Sequence, residues 1–122
     1  MESRPAKTVY FLTDAGRRPA EEFVKSLSFR SRKKFFSVIE LLEEFGRELS
    51  FPHAKYIGDE IFELRFEGME GAIRVLYFFF DGSKAVLTNG FVKKSNKTPK
   101  KEKQTAIERR KIYFQTYKGG MS

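Results

Sequence analysis

The chain has 122 residues and no cysteine, and its 24 Lys+Arg against 16 Asp+Glu give a formal net charge of +8. The lack of cysteine excludes disulfides and cysteine-ligated metals, and a single histidine, His53, excludes a multi-histidine zinc site. We therefore expect that any hydrolytic chemistry runs without metal, and we expect no cofactor. The length predicts one domain, residues 1–122, whose core can draw on 14 Phe and 5 Tyr.

The positive charge is concentrated in the last quarter of the sequence. Residues 1–88 contain 14 basic and 14 acidic side chains, whereas residues 89–122 contain 10 basic and 2 acidic ones. Such an asymmetry predicts a polyanionic partner, most commonly nucleic acid. The first twelve residues lack a signal-peptide pattern, and the longest apolar run, residues 75–80, is too short to span a membrane. We expect a soluble, cytoplasmic protein with no membrane partner.

The first half of the chain predicts one strand and two helices. A β-type run at residues 8–12 precedes a turn, and Pro19 can open a short helix that runs to about residue 26. Ser28 is a good N-cap for a longer helix, and Gly46 is suited to end it. The apolar residues of this second helix recur at helical spacing and predict one buried face: Phe35, Val38, Ile39, Leu42 and Phe45.

In the second half of the chain the hydrophobic pattern changes to a period of two, which predicts consecutive strands. They are expected at about residues 54–57, 61–66, 72–80 and 84–92, joined by short turns. Thr98 and Pro99 suit the N-cap and first position of a last helix, which runs to about residue 117 before a frayed end. The predicted class is α+β, a two-layer fold with a twisted antiparallel sheet of four to five strands, two N-terminal helices and one C-terminal helix.

Two arginines on neighbouring predicted strands are candidates for binding phosphate. Arg74 interrupts an apolar strand, where a buried and unpaired guanidinium would be costly. It is either a structural residue paired with a carboxylate such as Glu63, or a phosphate ligand held on a rigid strand beside a groove. Arg65 lies on the strand face opposite Phe62 and Leu64, so the two arginines can converge on one site.

A basic cluster follows the last predicted strand. Lys93, Lys94 and Lys97 are either solvated loop residues or part of a site, since adjacent like charges lower the pKa of lysines and favour acid–base catalysis. His53 has the one side-chain type that ordinarily titrates near neutrality, and it is either a plain surface residue or a groove residue together with Lys55. Phe91 is either a core residue or a ring that stacks on a base.

Three blocks of sequence carry a resemblance to a known family. They are Phe-Glu-Leu-Arg-Phe at residues 62–66, Arg-Val-Leu-Tyr-Phe at residues 74–78, and Gly-Phe-Val-Lys-Lys-Ser-Asn-Lys-Thr-Pro at residues 90–99. Together they resemble the phage-derived, HigB-like branch of the RelE/ParE toxin superfamily, over about residues 8–117. The resemblance implies a RelE-like fold and a ribosome-dependent endoribonuclease that cleaves mRNA in the A site of the 30S subunit. It also implies a helix-turn-helix, HigA-like antitoxin.

The resemblance also implies which residues form the site. The groove arginines and lysines of the family fall on the expected catalytic residues, Arg65, Arg74, Lys93 and Lys94. Further RNA-binding residues are expected at His53, Lys55, Phe91, Lys97, Lys100 and Lys101. The chain departs from the RelE type in two places. The RelE type carries lysines on the strand where this chain has Glu63, and it carries a tyrosine early in the last helix, where this chain has Lys-Lys-Glu-Lys at residues 100–103. The proton-transfer roles therefore stay open between Lys93, Lys94 and His53.

Two other classes of function remain open. A non-catalytic RNA-binding or host-takeover module would use the same arginines and lysines only for affinity, so single substitutions would weaken binding in a graded way. A gyrase-directed, ParE-like toxin would induce the DNA-damage response, although the basic cluster argues against that branch.

Overall fold

The computed structural model describes residues 5–118, so the expected frayed end at residues 119–122 lies outside the described part. In chain order the elements are β1 (Lys7–Tyr10), α1 (Pro19–Lys25), α2 (Phe29–Phe45), a 3-10 turn (Gly46–Glu48), β2 (Ala54–Tyr56), β3 (Phe62–Gly68), β4 (Gly71–Phe80), β5 (Lys84–Lys93) and α3 (Lys100–Lys118). The α+β class and the predicted order of elements are confirmed. None of the described helices has both the length and the apolar character needed to cross a bilayer.

The five strands form one mixed sheet in the order β1-β5-β4-β3-β2. Strands β2 to β5 are an antiparallel meander, as predicted. Strand β1 lies at the edge and runs parallel to β5, with Lys7 opposite Lys84, so the sheet is not purely antiparallel. No hairpin turn joins these two strands, and local sequence therefore carries no signal for their relative direction.

Helices pack on both faces of the sheet, so the fold has three layers instead of the expected two. Helices α1 and α2 cover one face, whose buried strand residues include Leu64, Phe66, Ile73, Val75, Tyr77 and Leu87. Helix α3 covers part of the opposite face, here called the α3 face, through contacts with Leu76, Phe78, Phe80 and Val86. Because α3 is weakly amphipathic, its sequence gives little indication of which sheet face it covers.

Helix α2 forms as its caps and spacing predict. Ser28 is the N-cap, and its side chain accepts a hydrogen bond from the Ser31 N–H. Gly46 ends the helix with a φ of 56°, a conformation that favours glycine. Phe45, expected on the buried face, is 36% exposed. The helix therefore buries the predicted stripe except in its last turn.

A β-bulge in β5 is a point at which α3 is hydrogen-bonded to the sheet. Leu76 lies opposite Asn89 while the next residue, Tyr77, lies opposite Leu87, which leaves Thr88 as the extra residue. The Thr88 carbonyl accepts a hydrogen bond from Arg109 Nη1 at 2.9 Å, and Asn89 Nδ2 donates to the Glu102 side chain at 2.9 Å. These bonds fix α3 at mid-sheet.

Candidate functional site

The register of the sheet brings charged residues from four strands together on the α3 face. Arg65 lies directly opposite Arg74, and Glu63 lies opposite Lys55 one position along. Lys93 belongs to the next row of the same face, opposite Ala72. Because cross-strand partners point to the same side of a sheet, Lys55, Glu63, Arg65, Arg74 and Lys93 share one surface, here called the open end.

The buried carboxylate of Glu63 pairs with both arginines of this surface. Its side chain is only 1% exposed, and it accepts a hydrogen bond from Arg65 Nη1 at 2.8 Å. Arg74 Nε lies 3.6 Å from the same oxygen, and the Thr98 hydroxyl donates to the second carboxylate oxygen. A buried carboxylate is tolerated when several donors compensate its charge. Thr98 was expected to be the N-cap of the last helix. Its side chain binds Glu63 instead, and the helix begins at Lys100.

The two arginines are held to different degrees. Arg74 is 6% exposed and donates from Nη1 to the Ile73 carbonyl at 2.9 Å, so the structural pairing with Glu63 considered for it is present. Burial, and then the nearby Arg65, lower the pKa of Arg74, but a guanidinium remains charged at neutral pH. Arg65 is more accessible, and its guanidinium lies 4.9 Å from the centre of the Phe51 ring.

Two grooves of about 440 Å³ each meet at this arginine pair, and both are lined by Arg65 and Arg74. The first, called the α2 groove, is otherwise lined by Lys34, Ser37, Val38, Pro52, His53, Phe66 and Glu67. The second, called the lysine groove, is otherwise lined by Ala72, Lys93, Lys94, Ser95 and Asn96. The arginine pair therefore lies between a histidine on one side and two lysines on the other.

Lys93 is less exposed than the other lysines expected at the site. It is partly buried, and burial is the main factor that lowers its pKa. Arg74, Arg65 and Lys55 lower the pKa further, whereas Glu63 opposes them. Lys94 is exposed at the rim of the lysine groove. Of the two lysines considered for proton transfer, Lys93 has the environment that suits the role.

The remaining predicted residues divide into three groups. His53 lines the α2 groove, and its carbonyl accepts from the Arg65 N–H at 2.8 Å, which ties it to the arginine pair. Phe91 is 8% exposed and packs in the core, so the expectation that it stacks on a base is wrong and the core alternative holds. The other lysines are exposed: Lys55, Lys97, Lys100 and Lys101.

Sequence reasoning missed two residues of the α2 groove region. Phe51 is 67% exposed beside Pro52, in a segment without strand or helix periodicity to assign its ring to a face. Lys34 reaches the groove only because α2 packs against β3, a tertiary contact that no local pattern encodes. Residues 5–118 contain no group of three or more His, Asp or Glu side chains that could hold a metal ion. Metal independence itself stays a prediction.

Comparison with known families identifies the chain. It matches the family described as Phage derived protein Gp49-like (DUF891) over residues 22–111, which is more than half of its length. The match includes β2 to β5 and therefore the whole open end. No curated protein matched the chain significantly. The chain belongs to this phage-derived family, which is part of the RelE/HigB-like toxin superfamily.

Proposed function

We propose that this member of the Gp49-like family is the toxin of a type II toxin–antitoxin system and cleaves mRNA in the A site of the ribosome, as the HigB-like branch does. The observation that carries the proposal is the arginine pair, which one buried carboxylate holds where two grooves meet. Cations fixed on rigid strands suit a phosphodiester whose negative charge grows during cleavage. Its partners are mRNA, the 30S subunit and a helix-turn-helix, HigA-like antitoxin.

The proposed reaction needs no metal. The RNA 2′-oxygen forms a bond to the adjacent phosphorus, and the bond from phosphorus to the 5′-oxygen breaks. A base takes the proton of the 2′-hydroxyl, and an acid gives a proton to the departing 5′-oxygen. The nucleophile and the leaving group lie on opposite sides of the phosphorus, so the base and the acid should flank the bound phosphate.

His53 and Lys93 have this relation to the arginine pair, since each lines one of the two grooves that Arg65 and Arg74 share. In the proposal, neutral imidazole at His53 is the base, because this side-chain type is a good proton acceptor near neutral pH. Lys93 is the acid, since a lysine with a lowered pKa donates its proton more readily. Arg65 and Arg74 bind the non-bridging oxygens, and Lys94 binds RNA at the groove rim.

The exposed lysines supply affinity for RNA and not chemistry. Lys55, Lys97, Lys100 and Lys101 contact phosphates of mRNA or ribosomal RNA, and such contacts weaken steeply with salt. A site of this kind depends on a substrate held in line for attack, which accounts for the proposed requirement for the ribosome.

The test is cleavage by the purified protein of mRNA programmed in the A site of 70S ribosomes, compared with naked RNA. Arg65→Ala should lower the rate about 100- to 1,000-fold, as expected for loss of a preorganised charge donor. Arg17→Ala is the matched control and should stay within a few-fold, because Arg17 is 70% exposed and lines neither groove. Arg65→Ala with full activity contradicts the mechanism. Tight, salt-sensitive binding without cleavage favours the RNA-binding module, and induction of the DNA-damage response favours the gyrase-directed alternative.

A further inference from the structure

The two grooves differ in the chemistry of their walls. The lysine groove is lined mainly by cations and small polar residues, which suits a phosphate backbone. The α2 groove has apolar walls at Val38, Pro52 and Phe66, and polar or charged residues line the rest of it. Its volume of about 440 Å³ lies in the range of sites that enclose a small organic group. Its walls therefore suit a flat, largely apolar group with a polar rim.

An exposed aromatic ring lies beside the α2 groove. Phe51 directly precedes Pro52 and His53, which line the groove, and 67% of its surface is exposed. The Arg65 guanidinium lies 4.9 Å from the ring centre, so one side of the ring is paired with a cation of the site. An accessible ring next to a phosphate-binding arginine is the arrangement on which proteins stack unpaired bases.

The edge of β3 adds main-chain groups to the same groove. The pairing of β2 with β3 ends where Ala54 meets Leu64, and the last main-chain bond runs from the Arg65 N–H to the His53 carbonyl. Antiparallel alternation directs the N–H and C=O of Glu67 toward this same edge, beyond the last paired residue of β2. Glu67 lines the α2 groove, so a donor and an acceptor lie where the polar rim of a base can meet them.

We infer that the α2 groove is a nucleobase subsite. The base next to the phosphate on the arginine pair enters the groove, stacks on Phe51 and directs its hydrogen-bonding edge toward the Glu67 main chain. The inference rests on the proposed function, because the ligand is a nucleotide of the substrate RNA. It limits the substrate to single-stranded RNA whose base can be turned out of a stack, and it makes Phe51 a determinant of where cleavage occurs.

The first experiment compares Phe51→Ala with Phe29→Ala on ribosome-bound mRNA. Phe29 is a matched control, because it is 68% exposed and Lys33 lies 5.7 Å from its ring centre. Unlike Phe51, it is next to no residue that lines either groove and does not pair with Arg65. Phe51→Ala should raise KM about tenfold or more and spread cleavage over additional positions, while Phe51→Trp should restore both. Equal KM and equal cleavage maps for the two alanine variants would overturn the inference.

A second experiment separates the subsite from the cleavage activity. Calorimetry would measure binding of a 2′-O-methylated trinucleotide, which cannot be cleaved, and of the same molecule with an abasic central position. The wild type should prefer the intact trinucleotide about tenfold, and Phe51→Ala should lose that preference. Equal affinities in the wild type, or no binding of either, overturn the subsite even if mRNA is cleaved. A Phe51-dependent preference without any cleavage supports the subsite and contradicts the proposed nuclease.

Discussion

Two parts of the α3 face, built on the same strands, differ completely in how they are stabilised. Under α3, Phe78 and Phe80 pack against Tyr113 and Phe114 with ring centres 4.9 to 6.0 Å apart. At the open end of the same strands, Arg65 and Arg74 are held by pairing with the buried Glu63 carboxylate. The two parts meet at Leu76 and Phe91, which lie opposite Glu63 and Arg74 and still belong to the apolar cluster under α3.

Along a single strand, the part under α3 therefore stabilises the fold, and the open end presents the candidate site. The covered part contributes apolar burial, whereas the open end keeps cations in place at an electrostatic cost that one carboxylate offsets. Helix α3 connects the two, since Asn89 binds Glu102 and Glu63 binds Thr98 just before the helix begins. Substitutions in the two parts should therefore have effects of different kinds and sizes.

The largest effect on stability is expected for Phe78→Ala in the covered part. The side chain is fully buried and contacts the rings of Tyr113 and Phe114, so its removal leaves a cavity between sheet and helix. The free energy of unfolding should fall by about 3–5 kcal/mol, measured by urea denaturation with circular dichroism. Ile112→Ala, at a site 46% exposed on α3, should change it by less than about 1 kcal/mol. Similar losses for both would mean that α3 is not packed as described.

A smaller loss, about 3 kcal/mol, is expected for Glu63→Ala at the open end. The change leaves two guanidiniums close together without their carboxylate, and we take the low end of the range for a broken buried pair because Arg65 retains access to water. Glu67→Ala is the matched control, since Glu67 is exposed on the same strand and should cost at most about 0.5 kcal/mol. Equal losses for Glu63→Ala and Glu67→Ala would remove the organising role assigned to Glu63.

The features that sequence predicts well are those encoded by near neighbours. Ser28 and Gly46 bound α2 because capping is a local interaction, and strand alternation correctly assigns Glu63 and Arg65 to one face of β3. The pairing of Arg74 with Glu63 was also predictable, because a guanidinium in an apolar strand needs a carboxylate within reach.

The features that sequence does not predict depend on contacts between distant elements. Phe91 and Phe51 illustrate this, because the ring expected to stack is buried and the unnoticed one is exposed. Burial of Phe91 requires α3 on its side of the sheet, and the sequence of α3 gives little indication of that packing. The parallel edge pairing of β1 has the same origin, since its partner β5 follows more than seventy residues later in the chain.

The role of Lys93 predicts a particular pH dependence of cleavage. The pKa of Lys93 is lowered, mainly by burial, and an acid is active only while it is protonated. The rate should therefore fall as the pH rises through this lowered value, below the ordinary lysine pKa of 10.5. Single-turnover rates on ribosome-bound mRNA, measured as the pH is raised, would check this. Lys93→Arg keeps the charge but cannot supply the proton, so it should be slower and lack the falling limb, whereas Lys94→Arg should retain it. A falling limb that persists in Lys93→Arg would assign the acid to another residue.

The smallest expected change in stability comes from hydrogen bonds on the other side of the sheet, which hold the turn between β3 and β4 to helix α2. Glu70, in the turn between β3 and β4, accepts hydrogen bonds from the Ser31 hydroxyl and from the Ser28 N–H at 2.6 Å, which fastens the hairpin to the start of α2. These bonds, that from Ser31 foremost, lower the pKa of Glu70 below 4.5. A carboxyl with a lowered pKa stabilises the folded state above its unfolded pKa, and that contribution is lost as the pH falls through the folded value. In urea titrations Glu70→Gln should therefore be less stable than the wild type at neutral pH, and the difference should shrink in acid. Glu67→Gln, at an exposed position on the same hairpin, is the matched control. A Glu70→Gln deficit that is independent of pH would mean that the turn is held by packing around Ser31 and not by the carboxylate.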